Sequence, residues 1–122
     1  MARKEETTID VAGREVRLSS PSKVVFPPRA DRRDGRGPER AITKLDVVTY
    51  YLAVAEPALL HLRERPGSLK RYLDGIDGEP FFQKRLPRTA PDWLPDATVT
   101  FPSGRTAREL VVVDAAHLVW AL

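Results

Sequence analysis

From Leu45 to Leu62 the apolar residues fall at helical spacing: Leu45, Val48, Tyr51 or Leu52, Ala55, Leu59 and Leu62. Thr43 is a good N-cap for this stretch, and Asp46 at the third helical position comes close to a capping box. The spacing predicts one long amphipathic helix over about 44–63, kinked or interrupted near Pro57, where a backbone donor is missing. Arg63-Glu64-Arg65-Pro66-Gly67 ends it. A helix with one apolar stripe must bury that stripe against other elements.

The flanking sequence reads as strands. Ile9 and Val11 alternate with polar neighbours, as do Val16 and Leu18, with a short turn at Ala12-Gly13-Arg14. That pattern predicts a hairpin with one buried face. Lys23-Val24-Val25-Phe26 is a short extended or helical piece, stopped by Pro27-Pro28. Leu69-Lys70-Arg71-Tyr72 and Phe81-Phe82-Gln83-Lys84 read as a strand and its return around the turn dipeptides Asp74-Gly75 and Asp77-Gly78. Residues 97–101 and 106–113 read as two more strands. Asp114 caps a closing helix over 115–122. Antiparallel strands, one long helix and a short terminal one make the fold class α+β.

Two segments read otherwise. Residues 1–6 look like a disordered charged tail, and 29–41 like a flexible basic loop rich in Arg, Asp, Gly and Pro. The closing helix ends on Leu118-Val119-Trp120-Ala121-Leu122 with no Gly, Asn or basic residue to close it. The expectation is a chain that continues elsewhere or was cut, with Trp120 and Leu122 unusually exposed or covered by another chain.

The net charge is +3, from 20 Lys and Arg against 17 Asp and Glu. Residues 29–44 alone carry a local +3, and so do residues 63–88. Two positive segments on a balanced background point to a localised anion site; a solvated loop and a solvated strand edge give the same counts. No apolar run approaches the roughly 18 residues of a membrane span. The first residues have no apolar stretch behind them, unlike a secretory signal. There is no cysteine, which excludes disulfides and thiolate metal sites and makes a cytoplasmic home the expectation.

No nucleophile constellation, metal-ligand spacing or Gly-rich phosphate loop is present. His61 and His117 sit inside helical patterns, where filling a surface or a core is the simpler role. Asp74-x-x-Asp77 is explained by turn chemistry. The informative residues are Lys23, Lys44, Lys70-Arg71-Tyr72 and Phe81-Phe82-Gln83-Lys84. Lys44 stands at a helix start, against the dipole, where a bridging phosphate would remove the conflict; a tolerated surface lysine is the alternative. On paired strands Lys70, Arg71 and the two Phe lie side by side. Successive side chains face opposite ways, so one Phe can enter the core and the other can stack a base beside the cations. With both sheet faces covered, both Phe would be core.

In this order these residues resemble the polymerase domain of bacterial DNA ligase D, a branch of the archaeo-eukaryotic primase superfamily. The resemblance runs through Val11-Ala-Gly-Arg-Glu-Val-Arg-Leu-Ser-Ser-Pro-Ser-Lys-Val-Val-Phe-Pro, Thr43-Lys-Leu-Asp, Tyr50-Tyr-Leu-Ala-Val-Ala, Arg65-Pro and Leu69-Lys-Arg-Tyr. It continues through Gly78-Glu-Pro-Phe-Phe-Gln-Lys-Arg, Ala90-Pro-Asp-Trp, Val112-Val-Asp and Leu118-Val-Trp. It covers residues 7–122 as the amino-terminal portion of such a domain; each motif is weak alone and the set is specific.

The resemblance implies gap filling and end extension in non-homologous end joining, at the nucleoid, alongside Ku and a DNA ligase. It implies that Lys23 and Lys44 hold the 5′-phosphate of a DNA end, with Ser20 a polar neighbour. It implies that Lys70 meets the incoming nucleoside triphosphate and Phe82 stacks on its base, with Arg71, Phe81 and Lys84 in support. The insertion between Phe26 and Thr43 departs from the family and is expected to shift how Lys23 approaches Lys44. The family's Asp-x-Asp pair, which holds two divalent metals, Mn or Mg, is absent from this sequence. The expectation is therefore a catalytically incomplete part of a polymerase that binds no cofactor alone. A non-catalytic DNA-end-binding module and a decayed remnant that folds poorly are the rival expectations.

Overall fold

A computed structural model describes residues 5–28 and 40–122. Apolar–polar alternation builds a hairpin from β1 (Glu6–Val11) and β2 (Arg14–Ser19). Val11 pairs with Arg14 and Ile9 with Val16, so the connection is Ala12 and Gly13. Both have positive φ, 52° and 77°, which matches the twist of the flanking strands. Gly13 adopts this freely, whereas Ala12 is held there against its preference. Val11, Val16 and Leu18 are buried on one face. Glu6 pairs with Ser19, so the tail expected over 1–6 ends sooner than the sequence implies. Residues 1–4 of that tail, and 29–39 of the basic loop expected at 29–41, lie outside the described residues.

β3 (Val24–Phe26) is extended and pairs antiparallel with β4 (Ile42–Thr43), Val24 opposite Thr43 and Phe26 opposite Ile42. β4 runs directly into α1 (Lys44–Ala53). The capping box is complete: Asp46 N–H donates to Thr43 Oγ1 at 3.2 Å, and Thr43 N–H donates to the Asp46 carboxylate at 2.9 Å. The single long helix expected over about 44–63 is two helices. The chain breaks at Val54, and α2 (Ala55–Leu62) departs at 79°. Pro57 explains the position of the break. As the third residue of α2 it sits where an N–H has no helical acceptor in any case; in an unbroken helix it would owe a bond to Ala53. No single helix among the described residues is long and apolar enough to cross a membrane.

After α2 the chain forms β5 (Pro66–Gly67), then β6 (Leu69–Arg71), which pairs antiparallel with β7 (Phe81–Gln83) as a short ribbon. β8 (Asp96–Thr100) and β9 (Thr106–Val111) pair antiparallel, and β5 joins β9 on its other side, giving the order β5-β9-β8. α3 (Ala115–Ala121) closes the structure, with the Asp114 carboxylate accepting from the N–H groups of Ala116 at 2.9 Å and His117 at 3.2 Å.

The central core gathers Val11, Val16 and Leu18 from the hairpin, Val48 from α1, and Ala116 and Val119 from α3. Each Val or Leu side chain among them, once fully buried, contributes about 1.5–3 kcal/mol. A helix as short as α3 is marginal alone, so its cap and this packing hold it. Trp120 and Leu122 pack against the same cluster and are half-buried, not unusually exposed.

Candidate functional site

Ser20, Lys23 and Lys44 come together around the start of α1. Ser20 has φ 53°, a left-handed conformation that costs a non-glycine residue energy. It donates its N–H to the Glu5 carbonyl at 2.8 Å and accepts at its carbonyl from Lys23 N–H at 3.0 Å. This turn swings residues 21–23 over the helix start. Lys44 N–H donates to the Lys23 carbonyl at 2.9 Å, and Leu45 N–H to the Pro21 carbonyl at 2.9 Å. The Lys44 ammonium donates to the Ser19 carbonyl at 2.8 Å and to Ser19 Oγ at 3.3 Å. The Lys23 ammonium donates to the Leu73 carbonyl at 2.9 Å.

Pairing of β3 with β4 sets Lys23 next to Lys44 along the backbone. One expectation changes here. The helix start offers less to an anion than its position implies. The N–H groups of Lys44, Leu45 and Asp46 are already bonded to the Lys23 carbonyl, the Pro21 carbonyl and Thr43 Oγ1. The two ammonium groups are bonded to different carbonyls, Lys44 to that of Ser19 and Lys23 to that of Leu73.

The second group lies on the β6–β7 ribbon. Lys70 is the cross-strand partner of Phe82, and Arg71 of Phe81. The Lys70 ammonium sits 5.7 Å from the Phe82 ring centre and 5.6 Å from that of Tyr72, within the range of a cation–π contact. Neither Phe enters the core, contrary to both alternatives read from the sequence: Phe82 is 65% exposed and Phe81 43%. Arg71 turns inward. Its Nε donates to Gln83 Oε1 at 2.6 Å, its guanidinium carbon lies 6.0 Å from the Trp120 ring centre, and burial lowers its pKa. Lys84 is exposed just past β7. Tyr72 has no assigned role from sequence, yet its spacing of two from Lys70 was the available signal for a shared face.

The two groups touch through the turn after Tyr72. Besides the Lys23–Leu73 bond, Ile76 N–H donates to the Val25 carbonyl at 2.9 Å. Gly75, with φ 88°, lies so close to β3 that a Cβ would stand 3.0 Å from the Val24 oxygen and 3.2 Å from that of Val25. Ser19 also lines an open cleft of about 550 Å³, with Glu6, Glu15, Arg17, Trp93 and Trp120.

His117 belongs to the core. It is 3% exposed, stacks on Trp93 at 5.9 Å, and accepts at Nδ1 from the N–H groups of Val113 and Asp114, each at 3.1 Å. An accepting Nδ1 is unprotonated, so the nearby Asp114 carboxylate, 3.5 Å away, makes no ion pair with it. His61 is exposed on α2. Among the described residues no group of three or more His, Cys, Asp or Glu is placed to hold a metal ion. The two metals implied by the resemblance therefore find no ligand set among these residues.

Residues 43–122 match the family model described as LigD, primase-polymerase domain. The chain is 41% identical over 83 residues to the multifunctional non-homologous end joining DNA repair protein LigD of Mycobacterium tuberculosis (strain H37Rv), covering 68% of this chain and 11% of that protein. It is 34% identical over 96 residues to LigD of Mycolicibacterium smegmatis, covering 79% and 11%. The structure is similar to that of the polymerase domain of Mycobacterium tuberculosis ligase D in complex with DNA, with a TM-score of 0.69 and 37% identity. That match covers 84% of this chain and 32% of the solved one. The chain thus spans about a tenth of the length of these curated relatives.

Proposed function

The chain belongs to the LigD primase-polymerase domain family, and on that premise we propose that it is part of a DNA repair polymerase of bacterial non-homologous end joining. Lys23 and Lys44, with Ser20 beside them, bind the 5′-phosphate of a DNA end. Lys70 and Phe82 bind the incoming nucleoside triphosphate, with Arg71, Phe81 and Lys84 in support. Metal-dependent nucleotidyl transfer, with Mn or Mg, is the activity expected of the complete family domain, alongside Ku and a ligase. The partners on this chain's own surface are a DNA end and a nucleoside triphosphate.

The observation that carries the reading is the bond from Lys44 N–H to the Lys23 carbonyl at 2.9 Å. It registers two cations from distant parts of the sequence against one another. The bond sets the two backbones side by side; a lysine ammonium recognises phosphate as a point charge. An exposed Phe with a lysine against its ring is the arrangement that stacks a base while attracting its phosphates.

The test is a binding titration at fixed salt with a recessed DNA end carrying either a 5′-phosphate or a 5′-hydroxyl. The phosphate form binds more tightly. Lys23→Ala and Lys44→Ala each erase most of the preference, and the double change adds little, since both serve one phosphate. Each well-made charge-assisted contact is worth roughly 1.5–3 kcal/mol, less where exposed. Equal affinity for the two forms, in a chain shown to be folded, removes the phosphate assignment and leaves only backbone electrostatics.

A further inference from the structure

The ribbon that carries Lys70 and Phe82 is only three residue pairs long. A two-stranded ribbon of that length is marginal by itself. Arg71 ties it to Gln83 and Trp120, and the turn from Leu73 to Ile76 is bolted to β3. The Lys23 ammonium holds the Leu73 carbonyl at 2.9 Å, the Val25 carbonyl holds Ile76 N–H at 2.9 Å, and Gly75 permits the close approach between them. Leu73 and Asp74 are themselves exposed.

We infer that this turn couples the two sites, so that a 5′-phosphate on Lys23 and a nucleotide on Lys70 and Phe82 tighten one another's binding. The inference rests on the proposed function above and adds a relation between its two halves. A lysine ammonium has three donors. One goes to Leu73, and a phosphate takes another without displacing it. A phosphate that fixes the ammonium also fixes the carbonyl that the ammonium holds. The turn and the ribbon then lose freedom that an arriving nucleotide would otherwise have to remove. Linkage makes the effect reciprocal: the nucleotide raises the affinity for the phosphate by the same factor.

The experiment titrates ATP into the 122-residue chain saturated with recessed-end DNA bearing either the 5′-phosphate or the 5′-hydroxyl. Expected is a tightening of about fivefold or more with the phosphate form, the lower range of measured couplings. The same factor appears for phosphorylated DNA when ATP is saturating. Gly75→Ala forces the turn off β3 and brings the factor towards one. Exchange of the Ile76 amide hydrogen in the unaltered chain provides a readout that needs no variant: it slows more with the phosphate form than with the hydroxyl form. Preference for the phosphate with unchanged ATP affinity and unchanged Ile76 exchange overturns the coupling while sparing the proposed function. A full factor retained in folded Gly75→Ala overturns the turn as its route. No preference between the two DNA forms overturns both.

Discussion

Arg14 meets Trp93 twice: its guanidinium carbon lies 5.3 Å from the indole ring centre, and its Nη1 donates to the Trp93 carbonyl at 3.0 Å. The pair ties the turn end of the β1–β2 hairpin to the segment that enters β8, and His117 stacks on the same indole. Arg14→Leu keeps apolar bulk but loses a charge-assisted bond and a cation–π contact, a cost of about 2 kcal/mol. Arg14→Lys recovers little of it, because an ammonium lacks the planar fork. Urea unfolding midpoints of the three proteins, at constant m-value, measure this.

His117 makes stability fall on the acid side. Burial is the main cause that holds its pKa below the usual histidine value; the positive charge of Arg14 adds to that, while the Asp114 carboxylate opposes it. The unfolded chain, with a histidine pKa of about 6.5, then binds the proton more readily than the folded one. The contribution is fully present above that pH and is lost as pH falls from it towards the folded value. His117→Asn can still accept from the Val113 and Asp114 N–H groups without titrating. It should be less stable at pH 8, where its packing is poorer, and should show a flatter decline as pH falls below about 6.5.

Thr43 anchors the end of α1 that carries Lys44. Thr43→Ala removes the cap on Asp46 N–H and costs about 1 kcal/mol, read as a lower thermal midpoint. Its partner adds a pH dependence. The Thr43 N–H, then Arg40, hold the Asp46 carboxyl below its ordinary pKa. That contribution is intact above the unfolded carboxylate value of about 4 and is lost as pH falls through the folded value. Asp46→Asn removes this part of the acid sensitivity.

Phe82 separates binding from folding. Because it is mostly exposed, Phe82→Ala leaves stability within roughly 0.5 kcal/mol. The same change removes a stacking partner worth about 1–3 kcal/mol per base, so ATP affinity falls by about tenfold. Lys70→Ala weakens ATP more than it weakens adenosine, since the ammonium addresses the phosphates. Equal losses for ATP and adenosine on Lys70→Ala would detach this lysine from the triphosphate.

The parts legible in the sequence were those decided by neighbours along the chain. Thr43 with Asp46 marked a helix start, Asp114 marked another, and alternation about Ala12-Gly13 marked a hairpin. The return of Phe81 and Phe82 alongside Lys70 and Arg71 followed from a turn between two short runs. What stayed hidden depended on residues far apart. Helical spacing carries straight through Val54, and only the backbone needs of Pro57 place the break before it. The pairing of Val24 with Thr43 crosses a long stretch with no strand signal. The bond from Lys23 to Leu73 joins an ammonium to a backbone carbonyl, a group that every residue has and no pattern singles out. Periodicity also cannot report that both Phe stand outside the core, since that depends on what else covers the ribbon.

Pairing of β3 with β4 closes the chain between Phe26 and Ile42 into a detour pinned at its base. Lys23 and Lys44 therefore take their register from the strand pair and from the Lys44 N–H to Lys23 carbonyl bond, and that register is a property of the base, whatever the chain does on its way between the two strands.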